Sequence, residues 1–391
     1  MILRAIRSHL KLLAAEFRVL VINGPRQSGK TTLARQVFPR HAYVNLEEPD
    51  VREMALAAPR DFLRQYPVPV IIDEVQRAPL LLSHLQVIVD GSKRNGQYIL
   101  TGSHQPRLKA EVRQSLAGRA AYLTLLPLSI SELSAAGVTL DRDEYLFRGF
   151  MPRLYDETVR PAQFYRSYYQ TYVERDAHQL IHVANQRAFE TFVKMLAGRV
   201  GQLVNLSSMA GDIGVSAPTL ASWLSVLETS HIVFRLPPYF RNFGKRLQKT
   251  PKVYFTEPGL AAALLDIQSA GQIFSHPLFG GLFENMVVVE ALKARYNTGN
   301  LGQLYFMRDQ HGLEVDLILE KSFPRLRPFE IKGGRTFDLS FAKNLRTYQN
   351  IAGTDSVSPT VIYGGDTEAE VEGVKFVNFR NTAKIINAKT S

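Results

Sequence analysis

The chain has no cysteine in its 391 residues. Disulfides, thiolate zinc sites and cysteine nucleophiles are therefore excluded, and a cytoplasmic setting is expected. No apolar run approaches the roughly 18 residues of a membrane span, so no membrane partner is expected. The opening MILRAIRSHLKLLAAEF has apolar residues at helical spacing with basic residues between. It lacks a continuous apolar centre and a small-residue cleavage site, so a helix packed on the following domain is expected rather than a secretory signal. Acids are in deficit. Forty-seven Lys and Arg against 36 Asp and Glu leave a formal net charge of +11. That balance points to an acidic partner, most commonly nucleic acid, unless the basic surface serves solubility alone. At 45% hydrophobic and 21% charged, the composition is that of an ordinary soluble protein. The length suggests two or three domains.

What is present is organised around Val19 to Thr32, VLVINGPRQSGKTT. The apolar run Val19-Leu20-Val21-Ile22 reads as a buried parallel strand. A loop follows that satisfies G-x-x-x-x-G-K-[ST], and a helical pattern, Leu33 to Phe38, comes next. Glycines let such a loop curl so that successive N–H groups point at phosphate oxygens. The helix N-terminus adds partial positive charge. Gly24, Pro25, Arg26, Gln27, Ser28, Gly29, Lys30, Thr31 and Thr32 are the candidate nucleotide-binding residues. Lys30 is expected at the β- and γ-phosphates of ATP, and Thr31 on Mg²⁺.

Ala42 to Leu46 reads as a second strand, and a helical stretch from Asp50 to about Tyr66 follows. The apolar strand from Val68 then ends in Asp73-Glu74. Asp73 suits a Mg²⁺ shell. Glu74, one residue on, suits orienting an attacking water, which favours hydrolysis over transfer to a small molecule. Gln97 to Leu100 is a fourth strand ending Thr101-Gly102-Ser103, where either hydroxyl could sense the γ-phosphate. A helical stretch from Arg107 to Leu116 leads to a strand from Ala120 to Leu125. Arg113 and Arg119 just precede it. Each is either a finger toward a nucleotide, in this subunit or a neighbour, or a surface arginine.

GPRQSGKTTL, VIIDEVQRAP, YILTGSHQ and SLAGRAAYLTLLPLS together resemble a recurrent prokaryotic family. Its members join an AAA-type P-loop ATPase to a C-terminal domain of unknown function. The resemblance implies nucleotide binding at Gly24 to Thr32, Mg²⁺ and water at Asp73 and Glu74, a sensor at Ser103 and a finger at Arg119. It also implies a cytoplasmic ATPase, and leaves a homo-oligomer open. EYLFRGFMPRLYD, Glu144 to Asp156, resembles the start of that family's C-terminal region.

Tyr165 to Leu180 reads as an aromatic helix, with Tyr168, Tyr169 and Tyr172 packing in a core rather than forming a stacking platform. FVKMLAGRVGQLV, Asn205 to Ala210 and Ser216 to Leu227 then give three helices at helix–turn–helix spacing. Ser216 is a plausible N-cap, with Pro218 in the first turn. Two strand-like runs, His231 to Leu236 and Lys252 to Phe255, fit a wing. Between them lies a basic stretch without acids, carrying Arg241, Lys245, Arg246 and Lys249, with Lys252 at its end. Such a loop would meet phosphates. The third helix carries few basic residues, so sequence-specific readout is weakly supported. DNA contact, protein contact and a lid over the nucleotide all remain open.

Toward the C-terminus, a helix from Leu282 to Arg295 carries Glu284 and Glu290. Three strands follow, over Leu304 to Met307, Leu313 to Leu319 and Arg327 to Ile331. Alternation places Val315, Leu317 and Leu319 on one face and Glu314 with Asp316 on the other; Glu330 and Lys332 likewise lie together. The pattern E…D…E-x-K resembles the restriction-endonuclease-like fold. By that resemblance Asp316 and Glu330 are metal ligands, Glu284 a helper and Lys332 the water-positioning cation. The bland alternative is two amphipathic strands with solvated charged faces. The tail from Asn378 suggests nothing in particular.

The expected architecture is α/β. An AAA-type P-loop NTPase domain spans 1–134, a helical and winged-helix domain 135–272, and a restriction-endonuclease-like domain 273–391. The expected function is Mg²⁺-dependent ATP hydrolysis coupled to contact with nucleic acid, DNA first. The alternatives are an ATP-gated Mg²⁺-dependent nuclease and an ATP-stabilised protein scaffold.

Overall fold

The computed structural model describes residues 2–103, 115–174, 185–239, 250–300, 303–322 and 324–388. Five apolar strands, β1 (Val19–Gly24), β2 (Ala42–Asn45), β3 (Val70–Asp73), β4 (Tyr98–Ser103) and β5 (Ala120–Thr124), form one parallel sheet in the order β2-β3-β4-β1-β5. Parallel strands need helices on both faces, and their side chains bury on both sides. One face packs Val19, Val21, Ile72 and Leu100 against Leu81 and Leu85. The other packs Leu20, Ile22 and Ile99 against Leu33 of the helix Lys30–Val37 and Leu10 of the expected N-terminal helix, Arg7–Glu16. The helical stretch expected from Asp50 is two helices, Pro49–Ala57 and Pro59–Gln65. Pro59 disfavours a helical conformation at Ala58 and restarts the helix as a first-turn proline.

A helical middle follows. Tyr168 and Tyr169 are buried in its core, as expected of the aromatic stretch, with Tyr165 beside them; the Tyr172 side chain and the rest of the stretch, 175–180, lie outside the described residues. The helix Pro161–Tyr168 widens into a π turn over Tyr169–Glu174. Helices Gln186–Ala197, Leu206–Ile213 and Ala217–Thr229 surround Trp223, and Ser216 caps the third through Thr219 N. β6 (Val233–Leu236) and β7 (Lys252–Phe255) pair antiparallel.

The last sheet has six strands: β8 (Leu304–Arg308), β9 (Glu314–Ser322), β10 (Arg325–Lys332), β11 (Thr360–Tyr363), β12 (Ala369–Val371) and β13 (Val374–Asn378). Their order is β12-β13-β11-β10-β9-β8. One face packs on the long helix Phe279–Asn297, the other on Lys343–Ala352. Val315 does not join Leu317 and Leu319, as alternation predicts; it packs with Ile318 on the opposite cluster, where the β8–β9 register shifts between Tyr305 and Met307. The tail after Asn378 forms the helix Thr382–Asn387, which buries Ile386 in the core shared with the long helix.

Candidate functional site

β1 lies inside the first sheet, between the central strand β4 and the edge strand β5, so the loop after it opens at the carboxyl edge, where the chain reverses direction across the sheet. Gly24 has φ +149°, and a Cβ there would stand 2.1 Å from the carbonyl oxygen of Leu125. Gly29 has φ +90° and caps the helix that begins at Lys30. Both positions need glycine for backbone reasons.

Lys30 Nζ donates to the carbonyls of Gly24 (3.1 Å) and Pro25 (2.8 Å). Burial pulls its pKa down to about 8, against the opposing pull of Glu74 and Asp73. Thr31 Oγ1 donates to Asp73 Oδ2 at 2.8 Å. The Tyr43 hydroxyl donates to the same oxygen at 2.9 Å, and Thr101 donates to Oδ1. Burial, then Asp73, pushes the Tyr43 hydroxyl up, so it remains a donor. Thr31 and Asp73 thus present a hydroxyl and a carboxylate side by side, the hard oxygen donors that Mg²⁺ takes.

Glu74 sits in the left-handed region, φ 56°, just past the end of β3. Its carboxylate meets Gln76 Nε2 and accepts from Ser103 Oγ at 3.3 Å; Gln76 Nε2 also lies 3.1 Å from Ser103 Oγ. The two expected sensors therefore divide: Ser103 attends Glu74, and Thr101 attends Asp73. Gln76 was not singled out from sequence, although a buried glutamine within Val75–Ala78 was a visible signal. Arg4 was also missed. It is buried, donates to Ser28 O (2.7 Å) and Pro127 O (3.3 Å), and pairs with Glu132 at 3.1 Å, so it braces the loop from behind. Nothing in its sequence neighbourhood signals this.

Arg119 is a correction. Its residue precedes Ala120, which pairs with Val19 at the amino end of β1, and its guanidinium binds Asp90 at 2.5 and 2.9 Å. The phosphate loop is at the other end of β1, about five residues or ~16 Å away. Arg119 therefore cannot serve its own subunit's nucleotide. Arg113, like Arg241, Lys245, Arg246 and Lys249, lies outside the described residues.

Two contacts tie the loop to the helical middle. The side-chain amide of Asn23, the residue before Gly24, lies 2.9 Å from His231 Nε2. The Tyr168 hydroxyl donates to Arg26 O at 3.4 Å.

The second candidate cluster does assemble. Glu284, Asp316, Glu330 and Lys332 come together, with Glu330 2% and Asp316 8% exposed, Glu284 half-buried and the Lys332 side chain reaching solvent at 38% exposure. Lys332 Nζ binds Glu330 at 2.7 Å, Asn344 donates to Glu330 at 3.3 Å, and Ile331 N donates to Asp316 at 2.8 Å. Burial drives the Glu284, Asp316 and Glu330 carboxyls up, with lysines opposing. The unexpected member is Lys252, placed by sequence with the basic loop. It is 2% exposed, and its ammonium binds Glu284 at 2.8 Å and Glu314 at 2.5 Å. It is therefore not available to a phosphate. Among the described residues, no group of three or more His, Cys, Asp or Glu is arranged to hold a metal ion.

Comparison with known proteins agrees with the first sheet. Residues 16–134 match the family described as AAA domain; residues 139–271 and 279–381 each match a domain of unknown function. Two uncharacterized proteins, from Mycobacterium bovis and Mycobacterium tuberculosis, are each 32% identical over 335 residues, covering 84% of this chain and 73% of theirs. Among solved structures, AMPPCP-bound DnaA from Aquifex aeolicus aligns at 15% identity with TM-score 0.28, over 57% of this chain and 85% of that one. Drosophila ORC bound to AT-rich DNA and Cdc6 aligns at 11% with TM-score 0.22, over 68% and 93%. Neither likeness is close enough to carry an argument. Among the described residues, no helix is long and apolar enough to cross a membrane.

Proposed function

We propose, from the premise that this chain belongs to the family of the two mycobacterial proteins, that it binds Mg·ATP, hydrolyses it, and uses the nucleotide state to alter a contact with nucleic acid, DNA first. The observation that carries the reading is the Thr31–Asp73 hydrogen bond of 2.8 Å beside a glycine loop at the carboxyl edge of a parallel sheet. Lys30 and the loop amides from Gly24 to Thr32 would neutralise phosphate charge. Thr31 and Asp73 would hold Mg²⁺, which when bound draws charge from the phosphate oxygens. Glu74 would orient the attacking water and take its proton, with Ser103 and Gln76 fixing the carboxylate.

The coupling rests on His231 and Tyr168. Both belong to the helical middle, and both touch the loop backbone or its first side chain. A loop that shifts on phosphate contact would shift the three-helix and two-strand unit, whose arrangement fits a winged helix. The net charge of +11 and the basic stretch from Arg241 to Lys249 give that unit its nucleic-acid reading. Any finger role for Arg119 would be toward a neighbouring subunit, in a homo-oligomer. Phosphate release measured alone and with single-stranded DNA, duplex DNA and RNA tests the whole. Stimulation by one polymer names the partner class. Equal rates with all would remove the nucleic-acid half, and no release would remove the ATPase half.

A further inference from the structure

We infer that the C-terminal carboxylate cluster is not a divalent-cation centre but a clamp between two modules, with the Lys252 ammonium of the preceding module holding Glu284 and Glu314. Lys252 does not come from the sheet that carries the acids. It starts β7, which pairs with β6 and, through Leu203, with the turn after the helix Gln186–Ala197. Tyr254, two residues on and therefore on the same strand face, donates its hydroxyl to Glu284 Oε1 at 2.6 Å, the oxygen that Lys252 also holds. The Phe306 ring of β8 lies 5.5 Å from the ammonium and closes the site on that side.

A catalytic divalent cation needs converging carboxylate oxygens with open positions for water and phosphate. Here Lys252 takes Glu284 and Glu314, Lys332 takes Glu330, and Asp316 accepts from a backbone amide. Arg308 adds a further cation to Glu314 at 3.4 Å. An ammonium offers three hydrogen-bond donors but no coordination positions, so it cannot bind water and phosphate together as ligands the way a metal ion does. Among the described residues, Glu330 Oε2 is buried without a hydrogen-bond partner, but one such oxygen beside ammonium-paired carboxylates is not the converging set of free donors that a resident metal takes. The cluster fits an ion-pair junction in which the cation is a side chain of the preceding module. Removing one partner of such a buried set leaves an uncompensated charge, while replacing both partners by neutral groups is tolerated.

The test is Mn²⁺ titration of the full chain without nucleotide, read by electron paramagnetic resonance and by thermal melting. The cluster is expected to bind no Mn²⁺, so the native chain and Asp316→Asn give the same titration. Lys252→Ala is expected to lower the melting temperature and to create a Mn²⁺ site that a second change, Asp316→Asn, removes. Lys252→Met with Glu284→Gln is expected to melt above Lys252→Ala. Mn²⁺ bound by the native chain and lost in Asp316→Asn would overturn the proposal, whether or not the lysine variants fold. Because no nucleotide is present, neither result bears on the ATPase reading.

Discussion

Both sheets place carboxylates beside a lysine, and they treat the pair in opposite ways. At the first sheet, Lys30 gives its protons to backbone carbonyls, and Asp73 is held by the neutral hydroxyls of Thr31, Tyr43 and Thr101. At the last sheet, Lys252 and Lys332 give theirs to Glu284, Glu314 and Glu330 directly. A hydroxyl orients a carboxylate without cancelling its charge; an ammonium cancels it. Among the described residues, the first arrangement leaves the Lys30 charge and the Asp73 charge each without an oppositely charged partner in direct contact, as the proposed phosphate and Mg²⁺ sites would need. The second commits its ammonium groups to its own carboxylates. The same residue types, similarly spaced on strands, differ in what they can do because of who donates the hydrogen bond.

The largest expected effects break the first arrangement. Lys30→Ala removes the one ammonium of the loop. Charge-assisted contacts are worth about 1.5–3 kcal/mol each, so ATP affinity should fall on the order of a hundredfold. Thermal stabilisation by millimolar ATP with Mg²⁺ should vanish, and an unchanged shift would remove Lys30 from the phosphate site. Next comes Glu74→Gln, which keeps the shape of the side chain and its contacts with Gln76 and Ser103. Nucleotide binding should survive while turnover falls by about 10²–10⁴-fold. Equal turnover in the variant and the native chain would leave Glu74 without a catalytic role.

Much of this was legible from residues. The strand–loop–helix around Gly24 to Thr32 and the strand ending Asp73-Glu74 carry their signals locally, because a phosphate loop needs fixed residue types at fixed spacing. The three-helix stretch and the paired strands after it were also readable, since periodicity and the Ser216 cap are local. What was not legible depends on residues far apart in the chain. Lys252 reads as one more member of a basic loop; only its 2% exposure and its contact with Glu284, 32 residues on, reveal an ion-pair anchor. Arg119 reads as a finger because it precedes a strand of the nucleotide sheet, but parallel pairing with Val19 places it at the wrong edge. Arg4 and His231 reach the loop only through the tertiary fold.

A buried acid without a lysine salt bridge sharpens the contrast. Glu257 accepts from the backbone amides of Phe150 (2.9 Å) and Gly259 (3.2 Å), and burial pushes its carboxyl up to about 7, with the Lys293 charge and then those hydrogen bonds acting against that. A carboxyl whose folded pKa is raised contributes stability below its ordinary pKa of 4.5 and loses it as pH rises through about 7. Glu257→Gln should remove that slope. The native-minus-variant stability should therefore fall by up to about 3 kcal/mol between the two limits, read from urea midpoints over a pH series. A difference that stays flat with pH would show that Glu257 does not titrate in this window.

Ser103→Ala should give the smallest effect and the finest distinction. Ser103 Oγ donates to Glu74 Oε2 over a long 3.3 Å and lies 3.1 Å from Gln76 Nε2, while Gln76 itself also holds Glu74. Losing the hydroxyl therefore removes one long, weak hydrogen bond to the carboxylate, worth about 0.5–1.5 kcal/mol, and with it the contact to Gln76, while the direct Gln76 support of the carboxylate stays in place. Turnover should fall about three- to tenfold, in line with that energy. ATP affinity should not change, because Ser103 bonds the residue that prepares water and not the loop that grips phosphate. Ser103→Thr, which restores a hydroxyl, should recover most of the rate. If the alanine variant instead lost affinity at constant turnover, Ser103 would belong with Lys30 as a phosphate contact, and the division of labour between Ser103 at Glu74 and Thr101 at Asp73 would have to be redrawn.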